Sequence, residues 1–240
     1  MIFPVHFSAE QDGNTEDVII IETYREDITR SGKPDKIELK GKLFSDGSQF
    51  YQNIWIDITN EQEQKHTIYT GSGYDPVLKF IDLNGDQIKD ILYQSPTGGS
   101  GGLYHSELHT FANGTHKQLE LPAHASLTGQ FLDDYQVEIQ LSPIDEPIIV
   151  NRSEQKKEYQ SLGIYDETGK LTAPKSLMID PIAFYEPVFL SDTKGYGLKS
   201  YQRINGAYHA DGIGTIETTW YNENGRWVIL ETEWIPLQSS

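Results

Sequence analysis

The chain has 240 residues and no cysteine, and its 36 acidic and 19 basic residues give a formal net charge of -17 at pH 7. The missing thiols exclude thiol catalysis, thiolate zinc sites and disulfides, and the negative charge disfavours binding to nucleic acids and anionic membrane surfaces. Apolar residues make up 37% of the chain and aromatic residues 11%, which is enough for a folded core.

The sequence has no stretch of 18 or more apolar residues, so it predicts no insertion into a membrane. The first residues, MIFPVHFSAEQDG, lack the basic n-region and the long apolar h-region of a signal peptide. An acidic chain without cysteine fits a bacterial protein outside the cytoplasm. We therefore expect an extracellular or cell-envelope location, with a signal peptide removed ahead of Ile2 and Met1 added for expression.

The first clear strand is QFYQNIWIDITN, residues 49–60, in which apolar and polar side chains alternate. Alternation with a period of two is typical of a half-buried β-strand. It predicts one face with Ile54, Ile56 and Ile58 and an opposite face with Tyr51, Trp55 and Asp57.

Two later segments have the signature of a β-hairpin. LHTFANGTHKQLEL contains Asn113-Gly114, and GTIETTWYNENGRWVILETEW contains Asn224-Gly225 between two strand-like runs. Asn-Gly favours a two-residue hairpin turn because both residues tolerate positive φ. Between them, SEQKKEYQSLG is the one segment that favours a short helix.

An internal repeat is indicated by aspartates that precede strand-like runs. DITRSGKPDKI begins at Asp27, DLNGDQIKDIL begins 55 residues later at Asp82, and DTKGYGLKSYQ begins at Asp192, 110 residues further on. At the intermediate position the loop has shrunk to Asp133-Asp134.

A repeat of about 55 residues lies in the size range of four-stranded propeller blades. The sequence therefore predicts one all-β domain, propeller-like, with four degenerate units, and a β-sandwich is the alternative. The predicted units are residues 16–70, 71–125, 126–180 and 181–240.

The segment DLNGDQIKDI resembles the loop D-x-N-G-D-G-x-x-D-L of the FG-GAP/VCBS repeat family, with Gln87 where the family prefers glycine. DITRSGKPDKI matches it more loosely, and PTGGSGG, residues 96–102, is similar to the glycine-rich segment that often follows such a loop. The resemblance implies propeller blades, calcium in the loops and an extracellular adhesion or ligand-binding setting.

Calcium takes six to eight oxygen ligands at about 2.3–2.6 Å, and a tight loop supplies them from alternate residues. In the better-matched loop the predicted Ca²⁺ ligands are Asp82, Asn84, Asp86, the carbonyl of Ile88, and Asp90. The alternative is an Asn-Gly turn with exposed acidic residues.

The first loop offers a second, weaker set of Ca²⁺ ligands, because it has only two carboxylates. The predicted ligands are Asp27, Thr29, Ser31, the carbonyl of Lys33, and Asp35. A purely structural turn is the alternative here as well.

The segment YHSELHTF places His105, Glu107 and His109 at alternate positions, which share one face if the segment is a strand. Such a set could ligate zinc or another transition metal, but an ordinary solvent-facing strand has the same pattern. Tyr104, Tyr208 and His209 lie beside glycine-rich segments and are candidates for an exposed binding surface.

These features favour a calcium-stabilised, non-catalytic binding module that recognises a protein or a glycan. The four tryptophans and 14 tyrosines could stack on sugars or anchor a protein partner, although packing between sheets also needs them. The alternative is a hydrolase with its active site at the loop surface, near the glycine-rich segment. No catalytic residues are predicted, and nucleic acid is not expected as a partner.

Overall fold

The computed structural model describes residues 18–111, 114–123 and 127–237, and the regular secondary structure of these residues is almost entirely β-strand. Four antiparallel sheets follow one another along the chain, and in each sheet neighbouring strands are consecutive in sequence. The all-β class is therefore confirmed.

Sheet 1 consists of four long strands and sheet 2 of four shorter ones. The strands of sheet 1 are β1 (Val18–Glu26), β2 (Asp35–Leu43), β3 (Phe50–Thr59) and β4 (Lys65–Tyr74). The strands of sheet 2 are β5 (Val77–Ile81), β6 (Asp90–Pro96), β7 (Tyr104–Thr110) and β8 (Lys117–Leu119).

Sheet 3 has three strands, and sheet 4 has the longest strands of the protein. Sheet 3 contains β9 (Thr128–Leu132), β10 (Gln136–Gln140) and β11 (Ile148–Asn151), and a 3₁₀ turn at Ser153–Gln155 and helix α1 (Lys156–Ser161) follow it. Sheet 4 contains β12 (Met178–Ser191), β13 (Gly195–Asn205), β14 (Gly212–Glu223) and β15 (Arg226–Pro236). The short helix predicted from SEQKKEYQSLG is thus confirmed.

The predicted alternation of β3 is present for its three isoleucines, Ile54, Ile56 and Ile58, which are all buried in the same cluster. Tyr51, predicted on the opposite face, packs against that cluster too. The pairing of β3 with β4 shifts register between Tyr51 and Ile54, and such an irregularity changes which face a side chain takes.

The turn predicted at Asn224-Gly225 is confirmed. β14 ends at Glu223, β15 begins at Arg226, and the two turn residues have φ values of 54° and 83°. Two consecutive positive φ values are the requirement of the hairpin turn that Asn-Gly favours. At the other predicted turn, Asn113 lies outside the described residues.

Sheet 2 is covered on both faces, and β6 shows this most directly because six of its seven residues are buried. Ile91 and Tyr93 belong to a cluster with residues of sheet 1, whereas Leu92 belongs to a cluster with residues of sheet 4. Since neighbouring side chains of a strand point to opposite faces, sheet 2 lies between sheets 1 and 4.

Sheet 4 uses one face to cover two other sheets. Leu198 of β13 packs in the cluster shared with sheet 2, and Ile204 of the same strand packs in a cluster with sheet 3. These two residues are six positions apart and therefore share a face. A propeller blade packs on its two neighbours through opposite faces, so this arrangement is consistent with the β-sandwich alternative rather than with the propeller.

The described sheets are not closed into a barrel, and the division into four repeat units stays a prediction. No helix among the described residues is long and apolar enough to cross a membrane.

Candidate functional site

The loop between β5 and β6 uses its carboxylates to hold its own backbone. Asp82 accepts hydrogen bonds from the N–H groups of Gly85 at 2.7 Å and Gln87 at 2.9 Å. Asp90 accepts from the N–H groups of Leu83 at 2.9 Å and Asn84 at 3.2 Å. Aspartates that bond to nearby backbone donors are typical of tight polar turns.

The remaining predicted ligands of this loop continue the same network. Asn84 Oδ1 accepts from the N–H of Asp86, and Asp86 Oδ1 accepts from the N–H of Ile88, each at 2.9 Å. The amide nitrogen of Asn84 donates to Asp86, Asp90 and Thr110 at 3.1–3.3 Å. The side chain of Ile88 is buried.

The loop between β1 and β2 repeats this scheme. Asp27 accepts from the N–H groups of Ser31 and Gly32, both at 2.9 Å. Asp35 accepts from the N–H of Ile28 and from both the N–H and the hydroxyl of Thr29. The carbonyl of Lys33 accepts from the hydroxyl of Ser31 at 3.0 Å. The two predicted loops therefore share one hydrogen-bond pattern.

The carboxyl group of Asp90 is fully buried, and this burial raises its pKa to about 6. Backbone and hydroxyl donors at Leu83 and Thr110 lower the pKa, whereas the charges of Asp86 and Asp82 raise it further. Within the described ranges there is no group of three or more histidine, aspartate or glutamate side chains arranged to hold a metal ion.

A histidine–glutamate cluster lies on β7. The Glu107 carboxylate contacts His105 Nε2 at 2.7 Å and His109 Nε2 at 2.8 Å, so the three side chains share one face as the alternation predicted. His109 is 2% exposed, and its Nδ1 lies 3.1 Å from His116 Nε2. The alternative of an ordinary solvent-facing strand is wrong for this part of β7, because Leu108, His109 and Thr110 are buried.

His66 of β4 adds a third imidazole ring, tilted against that of His116, which sequence reasoning missed. Its ring lies 4.7 Å from that of His116 and 5.3 Å from that of Phe111, and its buried Nε2 has no hydrogen-bond partner within the described part of the chain. His66 and His116 line a small cavity of about 180 Å³. Burial lowers the pKa of His116, and so do the charges of His109 and His66.

A larger groove of about 560 Å³ lies between the segment around β8 and the hairpin of β14 and β15. Its lining is mostly amide, apolar and aromatic. The residues that line it are Asn84, Gln118, Leu119, Glu120, Leu121, Pro122, Ala123, Trp220, Asn222, Gly225, Arg226 and Trp227.

Two aromatic side chains of sheet 4 fix the wall of this groove. Trp227 Nε1 donates to the carbonyl of Glu120 at 2.7 Å, and the buried Tyr185 hydroxyl donates to the carbonyl of Pro122, also at 2.7 Å. Trp227 is partly exposed, and Arg226 at the turn is exposed. Of the lining residues, Glu120 alone has a carboxyl side chain.

The other sequence candidates are dispersed. Tyr104 begins β7 and packs against Phe184 with ring centroids 5.5 Å apart. Tyr208 and His209 lie between β13 and β14, where Tyr208 donates to Glu158 and His209 contacts Asp180 at 3.0 Å. The predicted glycine-rich segment forms the turn between β6 and β7, closed by a bond from the N–H of Thr97 to the carbonyl of Leu103.

A buried ionic network at the connection between β13 and β14 was not predicted. Asp211 accepts from Arg152 at 2.6 Å, from the Tyr159 hydroxyl at 2.7 Å and from the N–H of Ala207 at 2.8 Å. It ties the residues around helix α1 to sheet 4. Because all four groups are satisfied by one another, the network is structural.

Comparison with known proteins gives a different relationship from the one that the loops suggested. The family model of the YybI C-terminal domain matches residues 125–235. The chain is also 29% identical over 206 residues to the uncharacterized protein YybI of Bacillus subtilis (strain 168). That alignment covers 83% of this chain and 78% of the Bacillus protein. No solved structure matches.

The resemblance to the FG-GAP/VCBS repeat family is therefore wrong, because the matching family model and the curated relative are both of the YybI type. The metal-binding assignment that came with that family loses its support, and the carboxylates concerned bond to backbone donors of their own loops. Calcium binding by Asp82, Asp90 or the first loop stays a prediction.

Proposed function

We propose that the protein is a non-catalytic binding module, outside the cell or in the cell envelope, that binds a glycan in the groove beside Trp227. The observation that supports this most is the lining of the groove, in which an accessible indole stands among amide side chains and an exposed guanidinium. The acidic, cysteine-free composition supports the location.

A glycan fits this lining because a sugar has an apolar ring face and a polar rim. The apolar face can stack on an aromatic ring, which presents a large, rigid apolar surface. The hydroxyl rim needs both donors and acceptors, and the exposed amide of Gln118 offers both. Arg226 adds donors that would suit a carboxylated or sulfated sugar.

The hydrolase alternative has less support from the same groove. Glycosidases use a pair of carboxyl groups, about 5–5.5 Å apart in retaining enzymes and about 6.5–9.5 Å apart in inverting ones. Glu120 is without a carboxyl partner among the residues that line the groove.

The proposal is tested by screening the protein on a glycan array and then titrating the best oligosaccharide while tryptophan fluorescence is recorded. We expect Trp227→Ala to weaken binding about tenfold or more, which corresponds to about 1.4 kcal/mol of binding free energy. Trp227→Phe should retain part of the affinity because it keeps an aromatic face.

Trp55→Phe is the matched control, because Trp55 lies on β3 in sheet 1 and is not among the groove residues. The proposal fails if no glycan binds the parent protein, or if Trp227→Ala binds as well as the parent. Shortening of the oligosaccharide during the titration would favour the hydrolase instead.

A further inference from the structure

Three imidazole rings pack together where sheet 1 meets sheet 2. His116 lies with its ring centroid 4.7 Å from that of His66 and 5.2 Å from that of His109. Phe111 closes the group at 5.3 Å from both His66 and His116. The three rings are close enough that a positive charge on one of them would repel a positive charge on the next.

The hydrogen bond between His109 Nδ1 and His116 Nε2 can hold one hydrogen only. His109 Nε2 faces the Glu107 carboxylate, so it carries a hydrogen, and its Nδ1 faces His116 Nε2 at 3.1 Å. While one ring is neutral, one of these two nitrogens donates and the other accepts. When both rings are protonated, two N–H groups point at each other and the hydrogen bond is lost.

The surrounding charges do not compensate for further protons. Glu107 is the carboxylate in direct contact with the group, and it already contacts both His105 and His109. Lys65, from the same strand as His66, also lines the cavity. On the neighbouring strand β6, Asp90 is held by backbone donors. Full protonation would leave four imidazolium groups beside one carboxylate.

The cluster is joined directly to the wall of the groove. His116 immediately precedes β8 (Lys117–Leu119), and residues 118–123 form one side of the groove. The segment is also held by the pairing of β8 with β7 and by the bonds from Trp227 and Tyr185 to the carbonyls of Glu120 and Pro122. Release of His116 would therefore loosen the segment at its N-terminal end.

We propose that the His66–His109–His116 cluster is a pH-responsive latch, which holds the β8 segment in place while at least one ring of the His109–His116 pair is neutral and releases it when acidification protonates both. The latch itself is independent of the ligand. Its consequence, weaker glycan binding at acidic pH, rests on the proposed function.

The direction of the pKa shift of His116 agrees with this geometry. Burial, His109 and His66 lower its pKa from the ordinary value of 6.5, so the unfolded chain binds the proton more readily than the folded protein does. The stabilisation from neutral His116 is fully present above about pH 6.5 and is lost as the pH falls from there through the lower folded-state pKa.

The test is amide hydrogen exchange of residues 117–121, expressed as protection factors so that the intrinsic effect of pH is removed. We expect the parent protein to lose about tenfold in protection between about pH 7.5 and about pH 5.5, because local opening of the β8 segment becomes easier. His116→Gln keeps a side-chain amide that can bond to His109, and His66→Phe keeps an aromatic ring. The protection factors of both variants should therefore fall less than about threefold between the two pH values.

His209→Gln is the control, since His209 is an exposed histidine outside the cluster and should lose protection as the parent does. Equal protection of the parent at the two pH values would overturn the latch, and so would parent-like behaviour of both His116→Gln and His66→Phe. Titration of the array-selected oligosaccharide at the same two pH values separates the claims. If protection falls at acidic pH but no glycan binds, only the proposed function is contradicted. If protection falls but glycan affinity is the same at both pH values, the link between the latch and glycan binding is contradicted.

Discussion

Asp90 shows how one buried carboxyl group can organise a loop and still oppose folding near neutral pH. It closes the turn before β6 by accepting from two backbone N–H groups, but it does so at a fully buried position. Sequence spacing identified this residue and its neighbours, yet it could not decide what their oxygens bond to. Backbone N–H groups and a cation compete for the same oxygens, so both arrangements have the same spacing.

At the residue scale we predict that Asp90→Asn weakens the pH dependence of stability. The pKa of Asp90 is raised to about 6, so the folded protein binds this proton more tightly than the unfolded chain. The contribution of Asp90 is therefore present at low pH and is lost as the pH rises through about 6. As the pH rises through about 6, the parent should lose about 1–3 kcal/mol of its free energy of unfolding through Asp90. Asparagine is neutral at every pH, so the variant should not show this loss.

The measurement is urea unfolding at several pH values between about 4 and 7.5. Asp46→Asn is the control, because Asp46 is exposed and outside the loop. A pH profile of Asp90→Asn that parallels the parent would contradict the prediction.

At the scale of elements, sheet 4 depends on a close approach of two of its strands. A Cβ atom added at Gly197 of β13 would lie 2.2 Å from the carbonyl oxygen of Trp220 on β14. The clash is with backbone, so it cannot be relieved by rotating a side chain. The Asn224-Gly225 turn of the same sheet was visible in the sequence because its φ requirement is local, whereas the requirement at Gly197 comes from a neighbouring strand.

We predict that Gly197→Ala destabilises the protein by about 2 kcal/mol or more, in the range typical of overpacked sites. Gly99→Ala is the matched glycine control, since its added Cβ would have its nearest neighbour at 4.0 Å. Chemical unfolding of both variants measures the difference. The prediction is wrong if the two midpoints agree within error.

At the scale of the whole molecule, the sequence predicted the all-β class and the Asn224-Gly225 hairpin but not how the sheets pack. Alternation predicts that Ile56 is buried, but it does not show that Ile56 and Ile91 meet in one cluster. The groove and the third imidazole were missed for the same reason. Gln118 and Trp227 are far apart in sequence, and so are His66 and His116.

The double coverage of sheet 2 has a consequence for the segment that matches the YybI C-terminal domain. Residues 125–235 include sheets 3 and 4 but not sheet 2. If this segment is produced alone, Tyr185, Leu198 and Trp220 lose the apolar surface that covers them. We expect such a fragment to bind a hydrophobic dye, to self-associate and to shift its tryptophan emission to longer wavelengths. A fragment that stays monomeric and binds no dye would show that its half folds independently. If the fragment instead self-associates and binds the dye, the smallest stable unit of this chain is larger than the matched segment.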